Sequence, residues 1–235
     1  MSINSLEKAI AIIPAAGLGK RFVEGSNKPF FALEGKPLLA WVLDVLEQSP
    51  LIEAVVPIVK EQDLGLCKGL VEASQFTKVR AIVPGGIERQ DSVYNGLKAI
   101  NGHNGPVLVH DGARPFITQD IVERCIKGID GFDGAIAAVP PKDTIKESSP
   151  DGTVKETLDR NNLFLVQTPQ AFSYETLWRA YQDAEKHSYY STDDSALVER
   201  LGGKVNIVMG SYDNIKVTTP EDIQVAAAIL KRISK

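Results

Sequence analysis

The chain has 235 residues, 43% of them hydrophobic and 24% charged, with a formal net charge of −4. That length buries a full core as one domain, the composition is that of a globular protein, and the acidic balance argues against a broad nucleic-acid-binding surface. Cys67 and Cys125 stand far apart, with no Cys-x-x-Cys and no His at metal-ligand spacing, so a reduced cytosolic protein without structural zinc is expected. No apolar run reaches transmembrane length, and Met1 to Lys8 is too polar for a signal peptide, so no membrane partner is expected either.

Ala9–Ile13 reads as a buried strand that breaks at Pro14 into Ala15-Ala16-Gly17-Leu18-Gly19-Lys20-Arg21-Phe22. Small residues let a ligand touch backbone N–H groups, and glycines allow the tight turn. Lys20, Arg21 and, on the next loop, Lys28 of Asn27-Lys28-Pro29 supply positive charge suited to a polyphosphate. A P-loop requires Ser or Thr after Gly-Lys, and here Arg21 follows Lys20. A dinucleotide fingerprint requires a third glycine, and Phe22 holds that place. An ordinary strand-to-helix turn with surface cations is the plain alternative.

Further strands are predicted over Ala54–Val59, Lys78–Val83, Val107–His110 and Ala135–Val139, alternating with helices over Leu38–Gln48, Asp63–Ser74, Glu88–Ile100 and Thr118–Ile129. Strands apolar throughout, alternating with helices, indicate a parallel sheet covered on both faces. Ligands of such sheets sit beyond the carboxyl ends of strands. This rule gathers the loop after Pro14, Pro84–Arg89 and Asp111–Pro115 at one place. Gly85 and Gly86 offer main-chain groups to a base edge, with Ser92 pointing to the same crevice; a helix start with Glu88 and Asp91 at the positive end of the dipole is the alternative. Asp111, directly at a strand end, could hold magnesium, and Arg114 could pair with it or with a phosphate; a turn salt bridge is the alternative. His110 reads as a packed core histidine, His103 and His187 as solvated.

After Pro140 the pattern changes. Pro141 to Arg160 is polar and alternating around Pro150-Asp151-Gly152, which predicts a hairpin with little to bury by itself, packed on the parent domain or on another subunit. Helices resume over Tyr174–Lys186 and Asp194–Leu201, where Thr192-Asp193-Asp194 reads as a cap. Strands are expected at Lys204–Met209 and Asn214–Val217, the latter carrying Lys216 between apolar neighbours as an edge charge or a site cation. Thr219-Pro220 starts the last helix. Thr168-Pro169-Gln170 follows a short apolar run and could bind phosphate through its hydroxyl.

Eight segments in register resemble the 2-C-methyl-D-erythritol 4-phosphate cytidylyltransferase family. They are Pro14-Ala15-Ala16-Gly17-x-Gly19-x-Arg21, Gly85-Gly86-x-Glu88-Arg89-x-Asp91-Ser92-Val93, Val109-His110-Asp111-x-Ala113-Arg114-Pro115, Asp143-Thr144-Ile145-Lys146, Asp159-Arg160-Asn161, Thr168-Pro169-Gln170, Thr192-Asp193 and Asp213-Asn214-Ile215-Lys216-Val217-Thr218. The resemblance implies a Rossmann-like α/β nucleotidyltransferase fold, with a mostly parallel sheet, helices on both faces and a protruding β-arm near residues 141–160 used in a homodimer. It implies an enzyme that joins CTP to methylerythritol 4-phosphate with release of pyrophosphate and uses magnesium; a bacterial cytoplasm is expected from the lack of a targeting segment, and a processed plastid enzyme would read similarly. It also implies residue roles. Arg21 and Lys28 grip the triphosphate, and Lys216 neutralises charge on the α-phosphate. Ala15, Ala16, Gly17, Gly19, Gly86 and Ser92 surround the nucleotide. Asp111, near the magnesium, together with Arg114, Thr168, Thr192 and Lys216, holds the sugar phosphate, with Thr144 and Arg160 reaching it from the partner's arm. The family usually reads Pro-Lys-Gln around the second cation; here Pro29 follows Lys28 and is expected to push it toward an extended backbone. Ribitol 5-phosphate cytidylyltransferase and a non-catalytic nucleotide-binding regulator are the competing readings.

Overall fold

The computed structural model describes residues 7–17, 22 and 27–233. The chain runs β1 (Ala9–Pro14), β2 (Ala32–Leu33), β3 (Lys36–Pro37), α1 (Leu38–Gln48), β4 (Ile52–Val59), α2 (Leu64–Ala73), β5 (Val83–Pro84), α3 (Arg89–Ala99), β6 (Pro106–Val109), α4 (Gln119–Lys127) and β7 (Gly134–Val139). It continues through β8 (Lys146–Ser148), β9 (Val154–Thr157), β10 (Leu165–Ser173), α5 (Tyr174–Lys186), α6 (Ser195–Arg200), β11 (Val205–Met209) and α7 (Pro220–Ile233). Seven strands form one sheet in the order β11-β7-β10-β6-β1-β4-β5. All pairings are parallel except those of β10, which runs antiparallel to both β6 and β7.

Apolar residues alternate across this sheet because successive side chains of a strand point to opposite faces. Ala11 and Ile13 join Leu39, Leu43, Cys67 and Ile121 on the face covered by α1, α2 and α4. Ile12 and Val109 join Val93, Leu97, Leu177 and Leu197 on the face covered by α3, α5 and α6. Each fully buried Leu or Ile contributes about 1.5–3 kcal/mol of transfer free energy. A third, smaller cluster joins Phe22, Leu33, Phe116 and Val217 to Ile229 and Leu230 of α7, so the helix started by Thr219 and Pro220 anchors the segment carrying Lys216.

Several expectations are corrected. The Lys78–Val83 strand shrinks to β5, preceded by a single bridge between Val55 and Val79, because it lies at the sheet's edge with only β4 to pair with. Asn214–Val217 is no strand: it lies along the loop after β6, with Val217 N–H on Ala113 O at 2.8 Å, rather than beside a strand. β10 was legible only as a short apolar run, because a proline in a central strand removes a ladder donor. Its register slips between Val166 and Gln170, which absorbs Pro169, and the Thr168–Pro169 peptide is cis. Lys28 is not extended but opens a 3-10 turn over Lys28–Phe30; Asn27 is the extended residue, and Pro29 sits in a first turn where its missing N–H is not needed. His103 is not solvated: its Nε2–H donates to Pro106 O at 3.0 Å and its ring meets Tyr174 edge-on.

The polar segment forms the β8–β9 hairpin, turning through Gly152 at φ +83°, with exposed side chains along β9. Among the described residues, no helix is long and apolar enough to cross a membrane.

Candidate active site

The carboxyl ends of β1, β5 and β6 converge, as the strand-end rule requires. Gly112 packs so tightly on Ala15 that a Cβ there would lie 2.9 Å from the alanine's own, and one on Gly85 would lie 2.3 Å from that of Ala16. Small residues at all four positions therefore let the three loops touch. Between them opens a first cleft of about 610 Å³, bordered by Ala15, Ala16, Gly17, Lys28, Gly86 and Ser92 among others. Ser92 is buried; its hydroxyl accepts Gly86 N–H at 3.1 Å and donates to Glu88 O, so it shapes the glycine turn. Glu88 and Asp91 form a reciprocal capping box at the start of α3. Gly19, Lys20 and Arg21 lie outside the described residues.

A second cleft of about 1210 Å³ adjoins the first, bordered by Arg114, Gln167, Thr168, Thr192, Asp193 and Phe164 among others. Arg89, Asp111 and Lys216 border both. Asp111 is the hub. Its Oδ1 receives Arg89 Nε at 3.0 Å, its Oδ2 receives Lys216 Nζ at 2.8 Å, and Arg114 Nε stands 3.7 Å from Oδ2. Burial alone would raise the Asp111 pKa, but Arg89, then Lys216 and Arg114, hold the carboxyl well below the usual carboxylate range. Burial lowers the pKa of Arg114, with Asp111 opposing. Lys216, 40% exposed, is the most accessible of the three cations.

The slipped register of β10 sets the far wall, as bulges commonly do beside sites. Thr168 Oγ1 accepts Asp111 N–H at 3.0 Å and donates to Nδ1 of His110 at 3.1 Å, while His110 Nε2–H donates to Arg114 O at 3.1 Å. A carbonyl can only accept, which puts a proton on Nε2. Complete burial pushes the His110 pKa down to about 4. Buried Asn214 donates to Thr168 O at 2.8 Å, and Arg114 donates to Asn214 O at 2.8 Å, so the strand and the segment leading to Lys216 are laid together. Gln170, also buried, donates to Asp193 and accepts Ser195 N–H, fastening the loop that holds Thr192. Asp193, not Asp194, caps α6, receiving Ala196 N–H at 3.2 Å.

Sequence reasoning missed Arg89. Its signal was a cation at the first residue of a helix, where the dipole disfavours positive charge. Thr144 and Arg160 border neither cleft. Both are exposed on or beside the hairpin, with Arg160 donating to Lys142 O at 2.8 Å. Asp111 does not fit a protein-held magnesium: Arg89 and Lys216 occupy both its oxygens, and no cluster of three metal-ligating side chains occurs among the described residues.

The family model for 2-C-methyl-D-erythritol 4-phosphate cytidylyltransferase matches residues 9–232. The chain belongs to this family. The cytidylyltransferase of Clostridium acetobutylicum is 46% identical over 225 residues, covering 95% of this chain and 98% of that one. That of Geobacter metallireducens is 46% identical over 94% and 97%. The solved 4-diphosphocytidyl-2C-methyl-D-erythritol synthase of Anaerococcus prevotii superposes with a TM-score of 0.86 at 32% identity, covering 96% of this chain and 97% of that one. The protein is a nucleotidyltransferase that moves a cytidylyl group from CTP to 2-C-methyl-D-erythritol 4-phosphate, a step of the non-mevalonate isoprenoid route.

Proposed function

We propose that the first cleft takes CTP, the second takes methylerythritol 4-phosphate, and the acceptor's phosphate oxygen attacks the α-phosphorus in line with departing pyrophosphate. The observation that carries this reading is that two clefts share Arg89, Asp111 and Lys216, which puts a reachable cation where two anionic reactants would meet. Lys216 neutralises the charge growing on the α-phosphate; one such contact is worth on the order of 3 kcal/mol in the transition state, by analogy with an oxyanion donor. Lys28, at the border of the first cleft, and Arg21 hold the triphosphate. Ala15, Ala16, Gly17, Gly19, Gly86 and Ser92 enclose the nucleotide, and Thr168, Thr192, Arg114 and Asp111 line the acceptor's place. Magnesium is needed as a companion of the nucleotide, carried by phosphate oxygens and water rather than by Asp111.

The enzyme is one nucleotidyltransferase domain working as a homodimer in a bacterial cytoplasm. The hairpin near residues 141–160 is an arm that delivers Thr144 and Arg160 to the partner's acceptor cleft. Two features support the exchange: the arm buries little of itself, and exposed Phe164, Leu165, Val166 and Ile207 leave an apolar wall by the second cleft. Mixing Arg160→Ala with Arg21→Ala protein is expected to restore part of the activity, since one site of the mixed dimer carries both native residues; no recovery after confirmed subunit exchange excludes a shared site.

Magnesium-dependent pyrophosphate release from CTP tests the reaction, comparing methylerythritol 4-phosphate, ribitol 5-phosphate and no acceptor. Release only with methylerythritol phosphate is expected. A preference for ribitol phosphate would keep the mechanism and overturn the acceptor; CTP binding with no release under any acceptor would leave a nucleotide-binding regulator.

A further inference from the structure

We propose that Arg89 is a positioning residue for the acceptor, clamping the loop of the second cleft to Asp111 through buried Asp194. Arg89 Nε donates to Asp111 Oδ1 at 3.0 Å and its NH2 donates to Asp194 Oδ2 at 2.8 Å. One planar guanidinium thus spans two carboxylates that are 83 residues apart (194 − 111). Asp194 is completely buried and borders neither cleft, yet it directly follows Thr192 and Asp193, which border the second. Its other oxygen receives the hydroxyl of Tyr181 from α5. Burial alone would lower the Arg89 pKa, but Asp194 and then Asp111 outweigh it and hold it well above its ordinary value, so the clamp stays charged.

A carboxylate without a solvent path and a cation at a helix start both break local rules, and each resolves the other. The chemistry assigns the clamp a job beyond holding α3 to α6. Arg89 fixes which way Asp111 presents its second oxygen to Lys216, and it fixes how far Thr192 stands from that pair. Both distances govern where a phosphate monoester can sit. The first cleft shares the edge made by Arg89, Asp111 and Lys216, but its floor is Ala15, Ala16, Gly17 and Gly86, and Thr192 borders the second cleft and not the first. The clamp therefore acts on acceptor binding and its alignment rather than on CTP.

The inference rests on the second cleft being the acceptor's, and the test separates the two. Asp194→Asn keeps the shape and removes the charge. We expect a folded protein whose KM for methylerythritol 4-phosphate rises about tenfold or more while that for CTP stays within about twofold. Arg89→Gln is expected to do the same, and the double variant to be no worse than Arg89→Gln alone, since Asp194 works through Arg89. Unchanged acceptor KM in folded Asp194→Asn, or additive losses in the double variant, overturns the clamp. Should Asp194→Asn fail to fold, Arg89→Lys decides, because an ammonium keeps the charge but cannot span both carboxylates: a raised acceptor KM supports the clamp and an unchanged one overturns it. Thr192→Ala is the control for the cleft itself. If it leaves acceptor KM untouched, the acceptor reading of the second cleft fails, and the route through Asp194 fails with it.

Discussion

The two clefts are built by opposite means. The first is main chain and small side chains at strand ends, where Ala15 meets Gly112 and Ala16 meets Gly85 with no room for a further methyl. The second is long polar side chains carried by one irregular strand and two loops, held by Gln170, Asn214 and Arg89. The walls of the first are fixed by close main-chain packing, whereas those of the second are side chains that must each be fixed by another. One cleft fails through bulk, the other through lost hydrogen bonds.

The sharpest way to probe the contrast is at the shared junction. Lys216→Ala should fold normally, since its side chain is 40% exposed, and lose about 100- to 1000-fold in kcat; a folded variant with unchanged kcat would remove Lys216 from the reaction. The wall between the clefts should answer to pH. His110 is neutral in the fold with a pKa pushed down to about 4, whereas in the unfolded chain it titrates near 6.5. Between those values the unfolded state binds the extra proton, so stability falls as pH drops below about 6.5 and stops falling on this account below about 4. The loss is ~3 kcal/mol across the window. Asp111 acts in the same direction at lower pH: its depressed pKa contributes stability that is present above the ordinary carboxylate range and lost in stronger acid. Chemical denaturation from pH 7 to 4 should show the His110 slope, and His110→Gln should flatten it.

The first cleft is tested by adding one methyl. Gly85→Ala should cost about 1–3 kcal/mol of stability and raise the KM for CTP with little change for the acceptor. Ala16→Gly in the same chain should relieve both effects, and absence of that rescue would mean the close approach of the two loops is not what matters. The smallest effect is expected on the arm. Lys155 pairs with Glu147 on an exposed hairpin, so Lys155→Ala should change stability by less than about 0.5 kcal/mol in a thermal melt. A larger loss would mean that the arm is packed more firmly than its exposure allows.

The clefts also differ in how far the sequence disclosed them. Glycine turns after apolar runs located the first, since the β1 and β6 runs and the Pro84-Gly85-Gly86 turn read directly from the sequence. Helices α1 and α5 were legible at their full length for the same reason. The second cleft was less so. β10 hides its strand character behind Pro169, and its partner loop at Asn214–Val217 imitates a strand because Ile215 and Val217 alternate with Lys216, although its hydrogen bonds go to a loop. Thr168 and Lys216 stood out locally, as a hydroxyl after an apolar run and a lysine between apolar neighbours, while Thr192 was named as a site residue from resemblance; the fold brings all three around one cleft. Arg89 escaped because its partners, Asp111 and Asp194, are remote in sequence, and no spacing rule connects them. Lys28 was misjudged locally: the conformational bias before proline yields to a turn closed by Phe30 N–H on Asn27 O and Phe31 N–H on Lys28 O.

The junction's dispersal along the chain bears on when the enzyme becomes competent. Its charges come from positions 89, 111, 114, 194 and 216. During synthesis β1, β4, β6, β10 and β7 can pair well before Asn214 leaves the ribosome, but Lys216 and the bond from Asn214 to Thr168 arrive only with the last segment. A nascent chain arrested before residue 214 would already have most of its sheet and still lack the cation that joins the two clefts, so with Lys216 acting as proposed, competence comes with nearly the last stretch to be made.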